Sequence, residues 1–171
     1  MNVLEHLEPK SVFRFFEEMC AIPHGSRNTK AVSDWCADFA RARGLEYHQD
    51  GDNNIIIIKE AAPGYEAAPP VILQGHLDMV CEQTADCQKD MSREGLDLAV
   101  DGDFVYAKGT TLGGDDGIAV AMALALLDAE GLPHPRLEAV FTVDEEIGLE
   151  DGPLEVCGAV FEVIHTPGHS V

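Results

Sequence analysis

The stretch GTTLGGDDGIAVAMALALLDAEGLPHPRLEAVFTVDEEIG, residues 109–148, decides the fold. It begins as a glycine-rich loop and runs into an Ala/Leu-rich segment, about 116–130, that reads as a buried helix. Gly131 and Pro133 stop that helix, because one favours left-handed backbone and the other cannot continue the hydrogen-bond ladder. RLEAVFTV (136–143) is a buried strand by its continuous apolar run, and it ends in three acids, Asp144, Glu145 and Glu146. Loop, helix, strand and acidic end form one unit of an α/β domain, with polar residues gathered where the strand stops.

Working outward, PVILQG (70–75) reads as another strand, buried and central, followed at once by HLDMV. LEYHQD and IIIIKE flank the turn DGDNN and form a hairpin. A helix is expected from near Ser11 to Cys20, and a second from Asn28 or Thr29 to Arg43, with Gly44 as its stop. IPHGS (22–26) breaks the chain between them. The stretch from Cys81 to Leu96 is a polar loop, and 98–109 is a second hairpin. The apolar run Ala159 to Ile164 would cover a free sheet edge if it paired as an extra strand. His24 and His134 lie in proline-containing turns and are expected at the surface. The order of elements gives a three-layer α/β domain around a mixed sheet.

Composition narrows the function. The 171 residues carry 31 Asp plus Glu against 11 Lys plus Arg, a formal charge of −20. Such a chain has no basic patch for nucleic acid or an anionic membrane. The amino terminus, MNVLEHLEPK, lacks the features of a signal peptide. Five cysteines without CxxC spacing suit a reduced, cytoplasmic chain.

Three clusters carry chemistry. His76 and Asp78 are two residues apart after a strand, so they point the same way in extended backbone. That spacing suits a metal-ligating imidazole oriented by a carboxylate, or a plain surface pair. Asp115 and Asp116 sit where a glycine-rich loop enters a helix, and Asp115 is either a ligand or a helix cap. Glu145 and Glu146 would point to opposite sides of an extended chain, one for metal and one for a proton, or would form an exposed acidic turn. Imidazole with carboxylate suits zinc, with manganese or cobalt as alternatives. Such a set fits hydrolysis by a water that a free glutamate deprotonates.

HLDMV, TTLGGDDG and TxEE followed by IG resemble the co-catalytic zinc peptidases that include carnosinases and aminoacylases, most nearly the bacterial aminoacyl-histidine dipeptidases. The resemblance covers about residues 5–150 and implies the amino-terminal part of a three-layer α/β/α zinc-peptidase catalytic domain. It implies that His76, Asp115 and Glu146 bind two zincs, Asp115 bridging them. By the same resemblance Asp78 orients His76, and Glu145 is the general base acting on a dipeptide substrate. It also implies a further carboxylate ligand, a final His ligand and a lid or dimerisation domain, none of which is found in these 171 residues. Activity is then open: a metal-binding fragment or pseudoenzyme is the alternative to a dipeptidase. A homo-oligomer is compatible with the family. Residues 151–171 are expected to diverge, and their FEVIHTPGHS resembles the HxPGH segment of metallo-β-lactamase-fold hydrolases. That makes His169 a further metal candidate and a lactamase-like hydrolase a third reading.

Overall fold

A computed structural model describes residues 2–148, together with the backbone of 153–156 and 159–162. Helix α1 is Lys10–Cys20 and α2 is Lys30–Ala42. Strands β1 (Glu46–Gln49), β2 (Ile55–Lys59) and β3 (Val71–His76) follow, then the β4–β5 hairpin (Leu98–Asp101, Phe104–Ala107). Helix α3 is Gly114–Asp128, β6 is Leu137–Thr142, and a 3₁₀ turn covers Glu145–Ile147. β7 (Pro153–Val156) and β8 (Ala159–Glu162) pair with each other in a separate two-stranded sheet, so the tail strand does not extend the main sheet.

The main sheet has the order β1-β2-β6-β3. β6 runs antiparallel to β2 and parallel to β3, which makes the sheet mixed. Its register places His76 beside Thr142, so the carboxyl ends of β3 and β6 deliver their following residues to one edge. β3 was expected to be central, yet among the described residues it is an edge strand. Val71 and Ile72 are 42% and 54% exposed because no strand pairs with them on that side.

One core holds the helices to one sheet face. Ile55, Ile57, Ala139 and Phe141 project from that face and pack with Phe15, Phe16, Val32, Phe39, Val120 and Leu124. Each of these side chains larger than Ala139 contributes about 1.5–3 kcal/mol on burial. Among the described residues, the opposite face carries the small buried cluster Ile56, Ile58 and Val140. Phe15 and Phe39 meet edge to face, with centroids 5.4 Å apart, and lock α1 to α2. At the end of α3, the Asp128 carboxylate accepts from Arg14 and Arg43, each at 2.6 Å, and so ties all three helices together.

α3 begins irregularly. Gly113, at φ 67°, precedes it, and Asp115 and Asp116 have non-helical backbone with a cis peptide between them. Neither aspartate caps the helix by a side-chain hydrogen bond. Its other end has no basic residue in the last turn. Lys59 of β2 supplies that charge, donating from Nζ to the carbonyls of Leu127 and Ala129 at 2.9 and 2.6 Å.

Candidate active site

The register of β3 on β6 brings the three sequence clusters together. His76, the last residue of β3, is only 6% exposed. Its Nδ1–H donates to the Asp78 carbonyl oxygen at 2.9 Å. A carbonyl only accepts, so a neutral His76 keeps its proton on Nδ1 and offers the lone pair of Nε2. Nε2 faces Asp115 Oδ1 at 3.3 Å and Glu145 Oε2 at 3.9 Å.

Asp78 has a wider task than orienting one ring. It is 1% exposed, and its Oδ1 lies 3.4 Å from His76 Nδ1. The same carboxylate accepts from the backbone N–H of Glu145 at 3.1 Å, the N–H of Glu146 at 3.3 Å and the Ser26 hydroxyl at 2.7 Å. Burial would raise its pKa, but His76, Ser26 and the two amides outweigh burial and hold it at about 2. Burial would likewise lower the His76 imidazole, but Asp78 and Asp115 raise it to about 9.

Glu145 and Glu146 do not follow extended backbone as expected. Asp144 adopts left-handed φ 62°, and the two glutamates enter the 3₁₀ turn. The turn forms where Asp78 accepts from both their amides, and Glu145 Oε2 comes to 3.9 Å from His76 Nε2. Burial first, then repulsion from Asp115, Glu145 and Asp78, raises the Glu146 carboxyl. Asp116 is raised by burial, and repulsion from Asp115 and Glu145 adds to that. Its Oδ2 accepts the His76 N–H at 3.3 Å, and a Cβ on Gly75 would come within 2.8 Å of it. Glycine at 75 therefore lets the helix start lie against the strand end.

Crowded carboxylates around an imidazole are the donor chemistry of a divalent cation. The residues fit such an ion in kind. Among the described residues, however, no three His, Cys, Asp or Glu side chains converge into a ready-made metal cage. His165 and His169 lie outside the described residues.

Several supports were missed in the sequence. Asn54 accepts the Val143 N–H at 3.1 Å and anchors the end of β6. Ser26 and Arg27, on the loop between α1 and α2, reach Asp78 and Asp144. Ser26 lies in the IPHGS motif and Asn54 in the DGDNN turn, but neither pattern pointed to these contacts. His24 and His134 are buried, at 3% and 8% exposure, because their Nδ1 atoms donate to the local carbonyls of Ile22 and Pro135. A cleft of about 380 Å³, lined by Ser26, Met79, Met91, Ile147 and Glu146, opens beside the glutamate turn. A larger cleft, about 720 Å³, lies at the far end of α3 and includes none of the three clusters.

Residues 72–169 match the model of peptidase family M20/M25/M40. The chain belongs to this family. The match continues past residue 150, into the segment expected to diverge. The chain is also similar to the cytosol non-specific dipeptidase of Escherichia coli (strain K12), 37% identical over 150 residues. That alignment takes in 88% of this chain and 31% of the relative. The crystal structure of aminoacylhistidine dipeptidase from Vibrio alginolyticus superposes with a TM-score of 0.82 at 36% identity. It covers 85% of this chain and 30% of that one. A tripeptidase from Staphylococcus aureus subsp. aureus mu50 shares the fold, with a TM-score of 0.64 at 21% identity. This member of the M20/M25/M40 family thus spans about a third of the length of the two dipeptidases it matches. Its α/β architecture and mixed sheet are those of the family's catalytic domain. Among the described residues, no helix is long and apolar enough to cross a membrane.

Proposed function

We propose that this chain carries part of the active site of a metal-dependent dipeptidase that hydrolyses unblocked dipeptides of the Xaa-His type. The observation that carries the reading is the meeting of His76, Asp115 and Glu145 at one sheet edge, in a chain 37% identical to a dipeptidase. His76, Asp115 and Glu146 would hold the metal, with zinc as the first choice and manganese or cobalt as alternatives. When bound, the metal supplies Lewis-acid polarisation, which makes water a better acid and a peptide carbonyl a better electrophile.

The chain's own residues supply the rest. Asp78 keeps His76 in the tautomer that frees Nε2 and fixes the backbone of the glutamate turn. Glu145, half-exposed and facing the same space, takes the proton of the attacking water. As the carbon–nitrogen bond breaks, it returns that proton to the departing amine. The test is hydrolysis of an Xaa-His dipeptide by the zinc-loaded chain. Glu145→Gln should lower the rate by about 10²–10⁴-fold while zinc binding persists. A Glu145→Gln chain as active as the wild type would overturn the assignment.

A second reading, a metal-binding fragment without turnover, is favoured by one observation. Although His76, Asp115 and Glu145 meet, no group of three His, Cys, Asp or Glu side chains among the described residues is placed to hold a metal ion. Zinc binding without any hydrolysis would select it.

A further inference from the structure

We propose that Ser26 is a positioning residue of this site: its hydroxyl fixes the Asp78 carboxylate and, through it, the Glu145–Glu146 turn. The inference rests on the site reading above but adds a residue outside its three clusters. The starting point is the acceptor inventory of Asp78. A carboxylate has about four lone-pair sites. Here they accept from three donors, the Ser26 hydroxyl at 2.7 Å and the Glu145 and Glu146 amides at 3.1 and 3.3 Å, while His76 Nδ1, its proton on the Asp78 carbonyl, lies alongside at 3.4 Å. Ser26 makes the shortest of these contacts. With Asp78 only 1% exposed, solvent has little room to replace a lost donor. Without the hydroxyl, the carboxylate is free to turn toward His76, and the two long amide bonds are the ones that suffer.

The loop that carries Ser26 is itself held on both sides. The Met79 N–H donates to the His24 carbonyl at 3.2 Å, and Gly25 bridges to Met79 in parallel. The Arg27 N–H donates to Asp144 Oδ1 at 2.6 Å, gripping the residue that opens the 3₁₀ turn. Arg27 and Asp144 both take left-handed backbone, φ 65° and 62°, so each turns its chain sharply at the contact. The loop thus grips the segment after β3 and the segment after β6 at once. Because it joins α1 to α2, it makes the helical layer, and not the sheet alone, set the relative placement of His76 and the glutamates.

The experiment is amide hydrogen exchange, residue by residue, on the metal-free 171-residue chain. It compares the wild type with Ser26→Thr and Ser26→Val, two side chains of the same shape of which only threonine keeps the hydroxyl. The Val variant should lose about tenfold in protection at the Glu145 and Glu146 amides, as expected for one charge-assisted hydrogen bond. The Thr variant should restore wild-type protection, with α1 and α3 unchanged in both. Zinc affinity by calorimetry should fall and recover in the same order. Equal protection in the Val and Thr variants overturns the proposal. So does a loss spread over α1 and α3, which would make Ser26 a general packing residue. The exchange readout needs neither metal nor turnover, so a wild-type chain that binds no zinc removes the proposed function and still leaves this test to decide on Ser26.

Discussion

Asp78 concentrates the chemistry of the site in one buried carboxylate. Its partners come from three places in the chain: Ser26, His76 and the Glu145–Glu146 backbone. Removing it leaves two amides and a hydroxyl without an acceptor, and takes one carboxylate from beside the imidazole. Asp78→Ala should therefore cost about 3 kcal/mol of stability, read from urea unfolding. It should also cost about 10–100-fold in zinc affinity, because the variant lacks the carboxylate that lies 3.4 Å from the ring and fixes the glutamate turn. A variant that unfolds like the wild type would show that Asp78 is dispensable to the fold. Spacing suggested a contact between His76 and Asp78 but left a plain surface pair open, and it did not show that the Nδ1–H goes to the Asp78 carbonyl. The grip of Asp78 on the glutamate turn was not, since backbone amides 67 and 68 residues away leave no mark in composition or periodicity.

Among the elements, α3 illustrates what a pattern shows and what it hides. Its Ala/Leu richness marked a helix, and Gly131 and Pro133 marked its end. Nothing local showed how its last carbonyls would be satisfied. Lys59, 70 residues from Ala129, does so from the neighbouring strand β2. Burial lowers the pKa of that ammonium, as expected for a cation drawn under a helix end. Lys59→Ala should destabilise the chain by about 1 kcal/mol, measured by thermal or urea unfolding. No change would mean that water caps the helix equally well. The start of α3 shows a similar effect, since the capping alternative does not hold there. Asp115 and Asp116 look like capping residues locally, but the approach of Gly75 and His76 turns them toward the strand end. The 3₁₀ turn at Glu145 escaped the extended-chain expectation because Asp78 collects both amides.

For the whole molecule, the order of helices and strands pointed to the α/β class, and the polar clusters fall together at one sheet edge. The side-by-side placement of β3 and β6 required the tertiary register. The helical layer is held by Asp128, which binds Arg14 of α1 and Arg43 beyond α2. Burial would raise the Asp128 carboxyl, but the two guanidinium groups outweigh it and hold it below its ordinary 3.8. A carboxyl lowered on folding stabilises the fold above its unfolded value and loses that contribution as pH falls through its folded value. Asp128→Asn should thus be less stable than the wild type at pH 7. The gap should close in acid below 3.8, as followed by urea unfolding across pH. A gap that widened in acid would reverse the sign of the argument.

The central claim is that the sheet edge of this chain is a metal site. Calorimetric titration of zinc into the purified chain, beside its His76→Ala variant, tests it most directly. The account predicts that the wild type binds zinc and that the variant binds at least about tenfold more weakly, as loss of an imidazole ligand requires. Equal affinity in the two chains, or no binding by the wild type, would contradict it.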